Sequence, residues 1–66
     1  MSVKNKLKEI RMKEYVMDPG EFAKFLDLSL RNYSAYENCH SKPTLEGALQ
    51  IAEKLNKDVK DIWYLD

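Results

Sequence analysis

Apolar residues recur at three- and four-residue steps along this chain, in short segments separated by polar breaks, which is the period of amphipathic helices. Val3, Leu7 and Ile10 lie among lysines and glutamates and predict a first helix from Val3 to about Glu14 with a solvated basic face. Tyr15, Val16 and Met17 form an apolar connector. Asp18 then reads as an N-cap, Pro19 takes the first helical position, where a missing N–H costs nothing, and Glu21 closes a capping box. The second helix runs roughly from Pro19 to Leu26, and Phe22, Ala23, Leu26 and the following Leu28 face inward. Ser29 caps a third helix, roughly Leu30 to Asn38, whose inward positions are Tyr33 and Tyr36 and whose other face is free. After a loop of turn formers from Asn38 to Pro43, Thr44 caps a fourth helix. Leu45, Ala48, Leu49, Ala52 and Leu55 form its stripe, Ile51 broadens it, and Asn56 marks its C-cap. A short fifth helix begins near Val59, places Ile62 in the core and ends in Trp63-Tyr64-Leu65. The fold class expected from this pattern is all-α, with five helices.

At 66 residues the chain reads as one domain spanning 1–66, close to the size below which a core needs disulfides or metal. Its 44% hydrophobic and 33% charged residues place it with globular chains, and two Gly and two Pro leave little room for long loops. The lone Cys39 makes no internal disulfide, and a second Cys or His for zinc is missing, so neither metal nor cofactor is expected. The residues contain no apolar run of membrane-span or signal-peptide length, which predicts a cytoplasmic protein without a membrane partner. No catalytic constellation is visible: His40 has no suitably spaced Cys, Ser or carboxylate partner, and an enzyme is not expected.

Net charge is zero, but it is not evenly spread. Residues 1–42 carry eight basic against six acidic side chains, and residues 43–66 carry three against five. The small basic excess falls on the half that contains the second and third helices. Because phosphate neutralisation supplies most non-specific affinity for nucleic acid, weak non-specific binding and a shallow salt dependence are expected.

The blocks E-F-A-K-F-L-D-L-S, Y-S-A-Y-E-N and K-P-T-L-E-x-A-L-x-I-A-x-x-L, in that order and spacing, resemble the phage-repressor and Cro-like helix-turn-helix family of transcriptional regulators, over about Leu7 to Trp63. The resemblance implies a compact five-helix, lambda-repressor-like DNA-binding domain. Its second and third helices would form the helix-turn-helix, and it would work as a homodimer on a palindromic duplex operator.

An α-helix entering the major groove presents the N-terminal residues of its exposed face to base edges. On the third helix these are Leu30, Arg31, Asn32, Ser34 and Ala35. The resemblance matches Leu30, Arg31 and Ala35 to base-reading positions and puts Ser29 and Asn32 near the phosphate or the groove edge. Arg31 is the strongest candidate, because a guanidinium bonds both O6 and N7 of guanine, whereas Leu30 or Ala35 suits a thymine methyl. Asn38, His40 and Lys42 occupy the loop that the resemblance lays along a phosphate backbone. It also implies an ion pair between Arg11 and Glu37 that locks the third helix. Trp63, Tyr64 and Leu65 read either as cover for one end of the core or as the seam of a two-fold dimer.

The chain departs from the family pattern in three places. Pro19 stands where relatives carry a phosphate-binding glutamine, Asp27 replaces the turn glycine, and Cys39 replaces the glycine that ends the third helix. With the zero net charge, these changes open an alternative reading: a helix-turn-helix kept as a protein-interaction module or adaptor, with weak or no DNA binding.

Overall fold

The computed structural model describes residues 2–66. In chain order the elements are β1 (Val3–Asn5), α1 (Leu7–Ile10), a π-helical segment over Arg11–Tyr15 that continues α1, α2 (Pro19–Phe25), α3 (Leu30–Glu37), α4 (Leu45–Lys54), α5 (Val59–Ile62) and β2 (Trp63–Leu65). The described residues are mostly helical, with five α-helices among them, and the all-α expectation needs one correction. Residues at the two ends of the sequence pair as a two-stranded antiparallel sheet, Val3 opposite Leu65, Lys4 opposite Tyr64 and Asn5 opposite Trp63. Hydrogen bonds from Lys6 N to the Ile62 carbonyl (2.8 Å) and from Asp66 N to the Ser2 carbonyl (2.8 Å) continue the ladder beyond both strands.

The first helix therefore begins at Leu7, not Val3. Asn5 sets the boundary by accepting a hydrogen bond from Leu7 N at 3.1 Å. Val3, Trp63 and Tyr64 are β-branched or aromatic and suit a pleated, half-buried surface. Val3 and Leu7 satisfy a helical spacing by coincidence, since a pairing partner sixty residues away leaves no local periodic mark.

The core gathers Leu7 and Ile10 from α1, Phe22 and Ala23 from α2, Leu26, Tyr33 from α3, Ile51 and Ala52 from α4, Leu55, and Ile62 from α5. Tyr15, Met17, Leu28, Tyr36, Val59 and Trp63 pack around it. The expected stripe on α4 is rotated. Ala48, Ile51, Ala52 and Leu55 are buried, but Leu45 is 74% and Leu49 53% exposed. At about 100° per residue, Leu45 and Leu49 lie roughly 70° and 110° around the helix from the centre of that buried face. Leu45 also stands on the first turn, at the end of the helix.

Each long helical segment closes on a residue in the left-handed region, and none of the four is glycine: Val16 (φ 51°), Asp27 (60°), Cys39 (61°) and Asn56 (56°). Asn and Asp tolerate this conformation; Val and Cys pay a steric penalty on the order of 1 kcal/mol. Val16 is the least comfortable, being β-branched, and it projects into solvent. Asn56 follows the Leu55 C-cap, one place beyond the cap position expected for it.

Candidate nucleic-acid interface

The caps of α2 form as the residue types dictate. The Asp18 carboxylate accepts from Glu21 N at 2.8 Å, and the Glu21 carboxylate accepts from Asp18 N at 3.1 Å, with Pro19 at the first helical position. The chain then turns at Asp27, where Leu28 N donates back to the Ala23 carbonyl at 2.8 Å. Asp27 does more than tolerate the turn: its carboxylate accepts a 2.6 Å bond from Lys54 of α4. That bond, and then the lysine's charge, hold the exposed carboxyl below the usual carboxylate range. Ser29 starts α3, its Oγ accepting from Asn32 N at 3.1 Å.

The inner side of α3 is held by one polar cluster. Tyr33 is fully buried and meets the Phe22 ring edge-on, with centroids 5.5 Å apart. Its hydroxyl donates to Glu37 Oε1 at 2.7 Å, and Arg11 Nε donates to the same oxygen at 3.1 Å. Arg11 Nη1 donates to the Met17 carbonyl at 2.9 Å. The Arg11–Glu37 pair is therefore present, both side chains being only about a tenth exposed, and it spans the π-helical segment, the connector before α2 and the end of α3. Burial works against the Arg11 charge, but the bond to Glu37 and the carboxylate's charge outweigh it and leave the guanidinium more firmly protonated than usual.

Burial, and then the Glu37 carboxylate, push the Tyr33 phenol well above its ordinary value of 10.0. In the unfolded chain the phenol ionises near pH 10 while the folded protein keeps its proton, so stability falls as pH rises past about 10. The slope from this group approaches about 1.4 kcal/mol per pH unit. Urea titrations from pH 9 to 11 are expected to show that decline, and Tyr33→Phe to flatten it. An equal decline in the variant would show that Tyr33 does not carry it.

The outer side of α3 is open. Ser29, Leu30, Arg31 and Asn32 are exposed around its first turn, and Ser34 and Ala35 are half-buried one turn on. Ser29 and Ser34 already have partners, since Asn38 Nδ2 folds back onto the Ser34 carbonyl (3.0 Å) and Oγ (3.4 Å). Asn38 thus serves the end of α3. His40 and Lys42 are exposed in the loop beyond Cys39. Among the described residues, neither Arg31 nor Lys42 has a carboxylate partner, unlike Arg11, Lys13, Lys54 and Lys57. Arg31 is thus an unpaired cation on the open side of α3, and Lys42 one in the loop beyond it, beside Val3, Leu45 and Trp63.

The Trp63-Tyr64-Leu65 cluster does not present one continuous surface. In β2 alternate residues point to opposite sides. Trp63 packs against the core, Leu65 is largely exposed, and Tyr64 lies under the Lys6 ammonium, 5.9 Å from the ring centroid. Sequence reasoning missed two contributors around α3. Tyr33 has a hydroxyl role that its four-residue spacing from Glu37 signals, and Asn5 is joined to α3 by a contact without local signal.

Among the described residues, no three His, Cys, Asp or Glu side chains gather to hold a metal, and no helix is long and apolar enough to cross a membrane. No protein-family model matches the chain, and no curated protein matches it significantly.

Proposed function

We propose that this protein is a sequence-specific, duplex-DNA-binding transcriptional regulator, a repressor that occupies a palindromic operator as a homodimer. In this reading α2, the Asp27 turn and α3 are the helix-turn-helix of a lambda-repressor-like domain, and α3 enters the major groove. The observation that carries the reading is the two-sidedness of α3. Its inner side is locked by Tyr33, Glu37 and Arg11, while its first turn offers Leu30, Arg31 and Asn32 to solvent with Arg31 unpaired. A rigid helix with free donors at its N-terminal end meets the geometric demand of base readout. Lys42, in the loop after α3, would supply a phosphate contact; at the start of α2 Pro19 has no N–H and Glu21 N is already bonded to the Asp18 carboxylate, so of these only the Gly20 amide would be left for a phosphate oxygen.

Selection of bound duplexes from a random pool at low and moderate salt tests the proposal. A palindromic motif is expected from the unmodified protein. Arg31→Ala should relax one position of each half-site and weaken binding by about 1 to 3 kcal/mol, with little change in stability. Retained specificity in Arg31→Ala would remove α3 as the reader. Sedimentation at micromolar concentration checks the homodimer: Leu65→Lys should halve the mass of the unmodified protein, and a monomer at the outset would count against the two-fold arrangement.

The rival is a protein-interaction module or adaptor. Zero net charge and the exposure of Leu30 at the start of α3 favour it. A folded protein that enriches no duplex at low salt would shift the reading to that class.

A further inference from the structure

We infer that Asn5 is a positioning residue for the loop leaving α3, and that it sets the phosphate contacts of Lys42; this rests on the DNA-binding reading above. Asn5 lies at the end of β1, outside α2 and α3, and its side chain reaches the C-terminal end of α3. Its Nδ2 donates to the Tyr36 carbonyl at 2.7 Å and lies 3.7 Å from the Cys39 sulfur, which accepts weakly. Its Oδ1 accepts from Leu7 N at 3.1 Å.

The Tyr36 carbonyl belongs to the last turn of α3, whose acceptors intrahelical bonding leaves open. It also accepts from Cys39 N at 3.1 Å. Cys39 is the left-handed pivot, and the next two amides, His40 and Ser41, close back on the Ala35 carbonyl at 2.9 and 3.3 Å. Asn5 therefore holds this closure on both sides, at the carbonyl before the pivot and at the pivot's own sulfur. Lys42 follows three residues after the pivot, so a tilt at Cys39 displaces its ammonium.

The residue type fits this role. Asparagine is depleted in strands, so packing in β1 does not account for it. A primary amide supplies a donor and an acceptor from one fork, and both are used here. The reverse amide orientation would set an oxygen against the Tyr36 carbonyl and an NH2 against Leu7 N–H. The amide is itself held in place by the strand pairing of Asn5 with Trp63 and by the 2.8 Å bond from Lys6 N to the Ile62 carbonyl. The paired ends of the chain are thus joined through one side chain to the end of the candidate reading helix.

The experiment has two arms on the full chain. In amide hydrogen exchange, Asn5→Ala should accelerate Cys39, His40 and Ser41 by about fivefold or more beyond any uniform change, as expected for one lost hydrogen bond. Asn5→Asp guards against a folding defect, because it keeps the acceptor for Leu7 N and loses the donor to Tyr36; it should accelerate the same three amides. In the DNA arm, Asn5→Ala should lower the salt-dependence slope by about 1 while the selected motif stays the same. Lys42→Ala should do likewise, and the double variant should fall no further than Lys42→Ala alone.

A merely structural role predicts additive losses and a uniform rise in exchange, and either result overturns the assignment. Unchanged exchange at the three amides, in variants of a protein that selects DNA, overturns the Asn5 assignment alone. Failure of the unmodified protein to select any duplex overturns the DNA reading and this inference with it.

Discussion

Glu37→Ala is expected to remove most of the stability of this protein, by about 3 to 5 kcal/mol. A domain of this size has roughly 3 to 10 kcal/mol in total at the usual stability per residue. The cost arises from what stays behind. Arg11 is buried to within 8% of full exclusion, and without Glu37 its Nε loses its carboxylate while the Tyr33 hydroxyl loses its acceptor, both inside the protein. Urea denaturation read by the single tryptophan, Trp63, measures the loss. The companion variant Arg11→Met/Glu37→Leu, made together with Tyr33→Phe, should recover much of it, because an apolar replacement leaves no charge or donor stranded. A loss below about 1 kcal/mol in Glu37→Ala would mean that solvent reaches the cluster and that it does not lock α3.

Phe22→Ala is the second large effect, at about 3 to 5 kcal/mol. Phe22 is fully buried and joins three other rings: Tyr33 edge-on, Tyr15 at 5.4 Å and Phe25 at 6.2 Å. Truncation opens a cavity between α2 and α3, whose mutual placement the proposed DNA contact depends on. The melting temperature should fall by on the order of 12 °C or more for a chain this short. Phe25→Ala should cost less than half as much, since Phe25 is 40% exposed and can give up its ring with little cavity. Equal losses from the two variants would place the structural weight on the exposed edge of the aromatic cluster and contradict the core described above.

Both variants separate fold from function in a useful way. They act on the scaffold behind α3, so any change in selected DNA should follow the unfolded fraction. Arg31→Ala acts on the exposed face and should change the selected motif in a protein of nearly normal stability.

The helices and their caps were legible from the residues because their causes are local. Asp18 with Glu21, Ser29 and Thr44 make the cap bonds that their side chains and spacing dictate, and α2 and α3 start where those residues stand. Left-handed closures at Asp27 and Cys39 occur where turn residues were expected. Arg31 and Asn32 on the open side of α3 follow from helical period, given Tyr33 inside, whereas Ser29 and Leu30 share the Tyr33 side and are exposed because they stand at the very start of the helix. The tertiary structure decided what depends on contacts between distant residues. It paired Val3–Asn5 with Trp63–Leu65, turning the expected ends of two helices into strands, because extended segments gain their hydrogen bonds only from a partner. It chose which side of α4 faces the core, burying Ile51 and leaving Leu45 and Leu49 in solvent, because the apolar stripe was wider than the neighbouring helices could cover. It also gave Asn5 its reach to Tyr36 and Asp27 its bond to Lys54, since a side chain's partner across the fold leaves no periodic signal in the chain itself.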